Sequence, residues 1–179
     1  GIAGISSPNG IPIDQINGLS TILKHRGPDD EGFVVCHKDG LKQMRGNTTI
    51  DELNDLTHID ALEKNPTLAL VHRRLAILDV SANGHQPFVS EDGNFALVFN
   101  GEIYNYKEIR QELEAKGHEF HSDSDTEVVL KSFIEWGELS VNKFVGMWAY
   151  AIFNKRENCI HLSRDRYGIK PLYFYQRGD

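Results

Sequence analysis

The chain has 179 residues, 40% of them hydrophobic and 25% charged, the make-up of one globular domain long enough to bury a core. Nineteen basic residues against 26 acidic ones leave a formal charge of −7, which argues against a nucleic-acid backbone as partner. No apolar run is long enough to span a bilayer. The N-terminus has neither the basic and long apolar regions of a secretory signal nor the myristoylation pattern, so the expectation is no membrane partner and a cytoplasmic location. On that expectation Cys36 and Cys159 are reduced thiols, and the Asn47-Thr48-Thr49 sequon is a coincidence.

In chain order, Ile2–Ser6 reads as a strand that starts almost at the first residue. After Pro12, Ile13, Ile16, Leu19, Ile22 and Leu23 recur at helical spacing; Lys24, His25 and Arg26 fall in the last turn, and Gly27-Pro28 stops the helix. Phe33–His37 reads as a strand. Residues 38–66 are polar and weakly periodic, and are expected to form a surface excursion with a short helix near Ile50–Leu56. Thr67–Leu78 and Phe95–Phe99 read as strands. Helices are predicted from Asn105, with Glu108 three residues on, and from Ser124, with Glu127 completing a capping box. Strands follow at Met147–Phe153 and Cys159–Ser163, joined by a polar turn at residues 154–158, and at Leu172–Tyr175. Clustered strands without strict helix alternation predict an α+β domain built on antiparallel sheets, with no linker or repeat.

Several short stretches carry chemistry. In Val71–Asp79 (VHRRLAILD), Arg73 and Arg74 are adjacent, so on a strand they point to opposite faces. Either could be a solvated strand residue, and an arginine is also the natural bidentate partner of a carboxylate. Asn100-Gly101, in FNGEIYNY, is the strongest short hairpin signal, but the residues after it run straight into a capped helix. Asp125, in Ser124–Glu127 (SDTE), opens a helix, where the dipole favours its ionised form. His118 and His121 have no supporting ligands at a trusted spacing, so no metal site is expected. Cys36 and Cys159 lie in apolar runs and read as small buried hydrophobes.

These stretches, with GIAGI at the front, HRGPDDEG at residues 25–32 and RDRYGIKPLYF at residues 164–174, resemble in order the class II glutamine amidotransferases, and within them the glutaminase domain of the asparagine synthetases. The resemblance covers nearly the whole chain except residues 38–66, making residues 1–179 one glutaminase domain. It implies the N-terminal-nucleophile hydrolase fold, a four-layer αββα sandwich of two antiparallel sheets. It also implies a nucleophilic cysteine immediately before Gly1, served by its own α-amine, whose ordinary pKa of roughly 7.7–8.0 suits a proton shuttle. A chain starting at Gly1 is therefore expected to be inactive.

The resemblance further assigns L-glutamine as substrate. Arg74 would bind its α-carboxylate, with backbone groups of Leu75, Ile77 and Leu78 completing the cradle. Glu102 and Asp125 would bind its α-ammonium, and Asn100 and Gly101 would form the oxyanion hole. HRGPDDEG would lie near this pocket without a catalytic residue. RDRYGIKPLYF would either face a synthetase domain or form a strand–turn–strand. No cofactor is expected in the glutaminase domain; ATP and magnesium would belong to a C-terminal synthetase domain, the partner that receives the ammonia. A homodimer stays open. The alternative is a non-catalytic relative of the β-lactam synthetase kind, which has no physical reason to keep Arg74, Asn100, Gly101, Glu102 and Asp125 together.

Overall fold

The computed structural model describes residues 1–37, 40–75 and 84–177. Its elements, in chain order, are β1 (Ile2–Ser6), α1 (Ile13–Leu23), β2 (Asp30–His37), β3 (Gly40–Arg45), β4 (Leu68–Arg74), β5 (Phe88–Val89), β6 (Phe95–Ile103), α2 (Tyr106–Ala115), α3 (Asp125–Trp136), β7 (Gly146–Asn154) and β8 (Cys159–Arg164). Two four-stranded sheets result, ordered β1-β4-β2-β3 and β5-β6-β7-β8, with every described pairing antiparallel.

Side-chain alternation along the strands builds the layers. On β2, Phe33 and Val35 pack with Ile16 and Leu19 of α1, while Val34 and Cys36 turn to the other sheet. On β6, Leu97 and Phe99 pack with Val129 and Phe133 of α3, while Ala96 and Val98 meet Leu68 and Leu70 of β4. Three buried layers thus separate α1, the first sheet, the second sheet and the α2–α3 pair. This is the four-layer sandwich expected from the resemblance.

The differences from the sequence reading have tertiary causes. Residues 40–66 are no mere excursion: β3 pairs with β2 along Gly32–His37, and Ile59 is buried with Leu62 against the α1 layer. β3 alternates too weakly in polarity to be legible, because only Met44 of its six residues is buried. The short helix near Ile50 is a single 3-10 turn, Asp51–Leu53. Lys24–Arg26 likewise tighten into a 3-10 turn after α1.

Asn105 does not cap α2 with its side chain; its amide donates to the Lys143 carbonyl and its oxygen accepts from the Val145 N–H, both at 2.9 Å. At α3, Ser124 accepts from the Thr126 N–H as predicted, but Glu127 turns away and accepts from the Ser122 N–H (2.8 Å) and hydroxyl (2.7 Å). Leu172–Tyr175, predicted as a strand, pairs with none of the described strands. Among the described residues, none forms a helix long and apolar enough to cross a membrane.

Candidate active site at the open end of the sandwich

The first strand is held at its very start. The Gly1 amine donates to the Arg73 carbonyl at 2.5 Å and the Arg73 N–H donates to the Gly1 carbonyl at 2.8 Å. Burial, then the charges of Arg26, Arg73 and Lys170, push the Gly1 amine down to about 6. A Cβ on Gly1 would lie 3.1 Å from Arg26 Cβ, so the strand start is packed against the turn that ends α1.

Arg73 is not a solvated strand residue. It is 2% exposed, and its Nη1 donates to Glu31 Oε2 at 2.8 Å and to Thr48 Oγ1 at 2.7 Å, while Nε donates to the Gly27 carbonyl at 2.9 Å. Glu31 also accepts from Ser20 Oγ (2.6 Å) and the Thr48 N–H (2.8 Å). Burial raises the Glu31 pKa, but these hydrogen bonds and the Arg73 charge outweigh it, and the net shift is downward. The His25–Gly32 stretch, without an assigned role in the sequence, therefore builds the support behind β1 and β4. Gly27 is part of it, because a Cβ there would fall 2.3 Å from the Arg73 carbonyl oxygen. Asn47-Thr48-Thr49 closes over the same ion pair, with Thr49 Oγ1 donating to the Glu31 carbonyl. Nothing local in the sequence signals this clasp, whose partners are 17 to 42 positions apart.

Arg74, one residue on, faces the opposite way, as strand alternation requires. It is half-buried at the end of β4, and its guanidinium lies so close to Gly84 that a Cβ there would meet Nη2 at 2.1 Å. Leu75 follows, 56% exposed. Ile77 and Leu78, and with them the end of the predicted Thr67–Leu78 strand, lie outside the described residues.

The segment after Gly84 ties the two sheets together. His85 Nδ1 lies 2.8 Å from Asp30 Oδ2, both residues buried, and its ring occupies the space that a Cβ on Gly32 would fill. Buried Gln86 accepts from the Phe99 N–H at 2.7 Å and donates to Thr126 Oγ1 at 3.3 Å. The segment thus touches Arg74, β6 beside Asn100, and α3 beside Asp125. Sequence reasoning missed Gln86, whose neighbours give no motif.

β6 runs through Asn100-Gly101 without turning, pairing Asn100 with Ala149 and Gly101 with Trp148. The hairpin reading is overturned, and the reason is β7. A Cβ on Gly101 would come within 2.4 Å of the Met147 carbonyl oxygen, so the glycine is demanded by the neighbouring strand. Asn100 and Glu102 share the parity of Ala96 and Val98, the face between the sheets. Asp125 joins them from α3: its Oδ2 accepts from the Ile103 N–H at 3.0 Å.

At Asp125 burial works against the helix dipole, which by itself favours the ionised form. Burial and the nearby Glu102 charge raise its pKa, only partly opposed by hydrogen bonds from Ile103 and Thr126. Neither Glu102 nor Asp125 forms a salt bridge among the described residues. The end of the inter-sheet face therefore presents a guanidinium from one sheet and two carboxylates at the other. A cavity of about 490 Å³ beside Lys131 involves none of these residues.

The remaining sequence candidates lie apart. His118 pairs with Glu135 and His121 with Glu91, on separate elements. Both cysteines are free; Cys36 is buried, but Cys159 is partly exposed, against expectation. Buried Asp165 organises the turn after β8, accepting from the N–H groups of Trp148, Tyr167, Ile169 and Lys170.

A family model described as "Glutamine amidotransferase domain" matches residues 55–179. The chain is 37% identical over 180 residues to a putative asparagine synthetase (glutamine-hydrolyzing) 2 of Methanocaldococcus jannaschii, an alignment covering 93% of this chain and 30% of that one. It is 38% identical over 159 residues to asparagine synthetase (glutamine-hydrolyzing) 1 of Bacillus subtilis, covering 89% of this chain and 20% of that one. The chain thus spans under a third of the length of these curated relatives. A solved glutamine phosphoribosylpyrophosphate amidotransferase from B. subtilis, complexed with ADP and GMP, superposes with a TM-score of 0.66 at 25% identity, covering 92% of this chain and 36% of that one. A structure described as the allosteric regulatory enzyme of purine biosynthesis shares the fold with a TM-score of 0.72 at 24% identity, covering 94% of this chain and 38% of that one.

Proposed function

The chain belongs to the glutamine amidotransferase domain family, and on that premise we propose that it binds L-glutamine at the open end of the sandwich and releases ammonia from it for an amide-forming synthetase. The observation that carries this is the charge arrangement on the inter-sheet face: Arg74 from one sheet, Glu102 and Asp125 beside the other, with Asn100 on the same face. A free amino acid presents one carboxylate and one ammonium, and this end offers a partner for each. An ammonium bound between Glu102 and Asp125 would also relieve the repulsion that raises the Asp125 pKa.

The nucleophile is assigned to a cysteine joined to the Gly1 nitrogen. Gly1 pairs with Arg73, so that residue would lie opposite Arg74, and alternation would turn its side chain to the inter-sheet face that Ile2 also presents. Its α-amine takes the thiol proton, and the sulfur attacks the glutamine amide carbon. The Asn100 amide and the Gly101 N–H stabilise the oxyanion. The amine returns the proton to the departing ammonia, and water cleaves the thioester to glutamate. Burial is the larger cause of the lowered Gly1 amine, and the charges of Arg26, Arg73 and Lys170 that add to it would favour a thiolate nearby.

Asparagine is the product most consistent with the relatives, whose synthetase portions would use ATP and magnesium. The exposed Tyr173, Phe174 and Tyr175 after β8 suit the contact with such a domain.

Protein carrying cysteine before Gly1 is expected to release ammonia from glutamine, and protein beginning at Gly1 is not; turnover by the latter would remove the nucleophile assignment. By calorimetric titration, Arg74→Ala and Asp125→Ala should each weaken glutamine binding tenfold or more, since hydrogen bonds to charged groups contribute about 1.5–3 kcal/mol. Unchanged affinity in both would overturn the pocket.

A further inference from the structure

At the other end of the second sheet, Cys159 and His161 share one face of β8 by strand alternation, and Glu157 reaches them from the turn before it. One ligand atom from each lies within 4.8 Å of the others. Cys159 Sγ is 3.1 Å from His161 Nε2 and 3.6 Å from Glu157 Oε2, and the last two atoms are 4.0 Å apart. Around a tetrahedral zinc ion with bonds of about 2.0–2.3 Å, ligand atoms lie roughly 3.3–3.8 Å from one another. The three atoms are therefore within a few tenths of an ångström of a ligand set.

The imidazole is also set for this role. His161 Nδ1 is 3.0 Å from Glu138 Oε1, in the 3-10 turn that follows α3. A carboxylate on that nitrogen holds its proton and leaves the Nε2 lone pair aimed at the thiol, the arrangement found behind metal-bound histidines. The ring rests against Phe133, with centroids 4.8 Å apart, which limits its rotation. A simple thiol–imidazole hydrogen bond explains one contact but neither the third donor nor the outer carboxylate.

We propose that Glu157, Cys159 and His161 form a binding site for a zinc-class divalent cation, with Glu138 as the positioning residue behind His161. A soft sulfur with an imidazole and one carboxylate selects zinc over magnesium or calcium, which take all-oxygen sets. On binding, the Cys159 S–H bond breaks, a sulfur–metal bond forms, and the proton leaves to solvent with no change of oxidation state. Water takes the fourth position. The ion fastens the turn between β7 and β8 to β8, an edge strand. Cys159 pairs with Asn154, and Asn154 with Phe95, so the site lies about 17 Å along the sheet from Asn100 and does not depend on the glutamine reading.

The test is titration of the purified protein with Co²⁺ alone, reading the thiolate-to-cobalt absorption band, followed by displacement with Zn²⁺. One equivalent should give the band, Cys36→Ser should keep it, Cys159→Ser should lose it, and Glu138→Gln should weaken binding about 10–100-fold. The urea midpoint, measured on each variant, reports that the fold is intact. No band at one equivalent, or a band that survives Cys159→Ser, would overturn the site; unchanged affinity in Glu138→Gln would overturn the role of Glu138.

Discussion

Arg73 and Arg74 are neighbours on β4, yet they belong to two regions of opposite character. Behind the first sheet, Arg73 and Glu31 are both buried, and Ser20, Thr48 and Gly27 hydrogen-bond to them, with Arg73 Nη2 left without a hydrogen-bond partner among the described residues. On the inter-sheet face, burial, and to a lesser degree the like charge of Glu102, raise the Asp125 pKa. The first region spends its charges on holding β1 and β4 in place. The second keeps charge available, at some cost to the folded state. A charged pair buried with its partners reads as scaffold, and two carboxylates left to repel read as a place for a cation.

The comparison is broken most severely by removing one partner of the clasp. Glu31→Gln or Arg73→Ala should destabilise the fold by about 3–5 kcal/mol in urea unfolding, because the other charge is left buried and unanswered. A loss below about 1 kcal/mol would show that the clasp is not scaffold. Gly101→Ala comes next: its methyl would press on the Met147 carbonyl, and strand separation should cost about 1–3 kcal/mol. A smaller loss, with ammonia release retained, would mean that β7 yields easily.

Asp125→Asn sharpens the other side. It should weaken glutamine binding while leaving the urea midpoint unchanged or higher, since it removes a carboxylate whose ionised form the fold disfavours. A lower midpoint with intact affinity would reverse the distinction between the two regions.

The smallest effect is the pH dependence. The Gly1 amine falls from 8.0 to about 6 on folding, and burial holds His72 well below its ordinary range. For both, the unfolded chain binds more protons, so stability is full above pH 8 and is lost as pH falls toward 6 and below. For a chain starting at Gly1 the amine's share is about 1–2 kcal/mol, a two-unit shift reduced for its partial exposure. Acetylating the amine should flatten the profile between pH 8 and 6 and leave the His72 part below it.

Much of this was legible in the sequence because it is local. The periodicity of Ile13–Leu23 gave α1, the apolar runs gave β1, most of β2, β7 and β8 and the first half of β6, and Ser124 marked the start of α3. The order of short motifs named the family and brought Arg74, Asn100, Glu102 and Asp125 to notice. β3 was not legible because its stability comes from pairing with β2 and not from its own pattern. Gln86 and the Thr48–Glu31–Arg73 clasp were hidden because their partners are far away in the chain.

What the sequence determined by itself is therefore most of the elements, which follow from periodicity within a few turns, and, through the resemblance its ordered motifs carry, the chemical types of the site residues. Tertiary structure alone decided how each is used. Gly101 accommodates β7, Arg73 packs behind the first sheet while Arg74 turns to the inter-sheet face, Asp125 is buried near Glu102, and Glu157, Cys159 and His161 converge with Glu138. Burial and charge–charge distance set these properties, and both come from strand register and layer packing, which bring together residues that no local pattern connects.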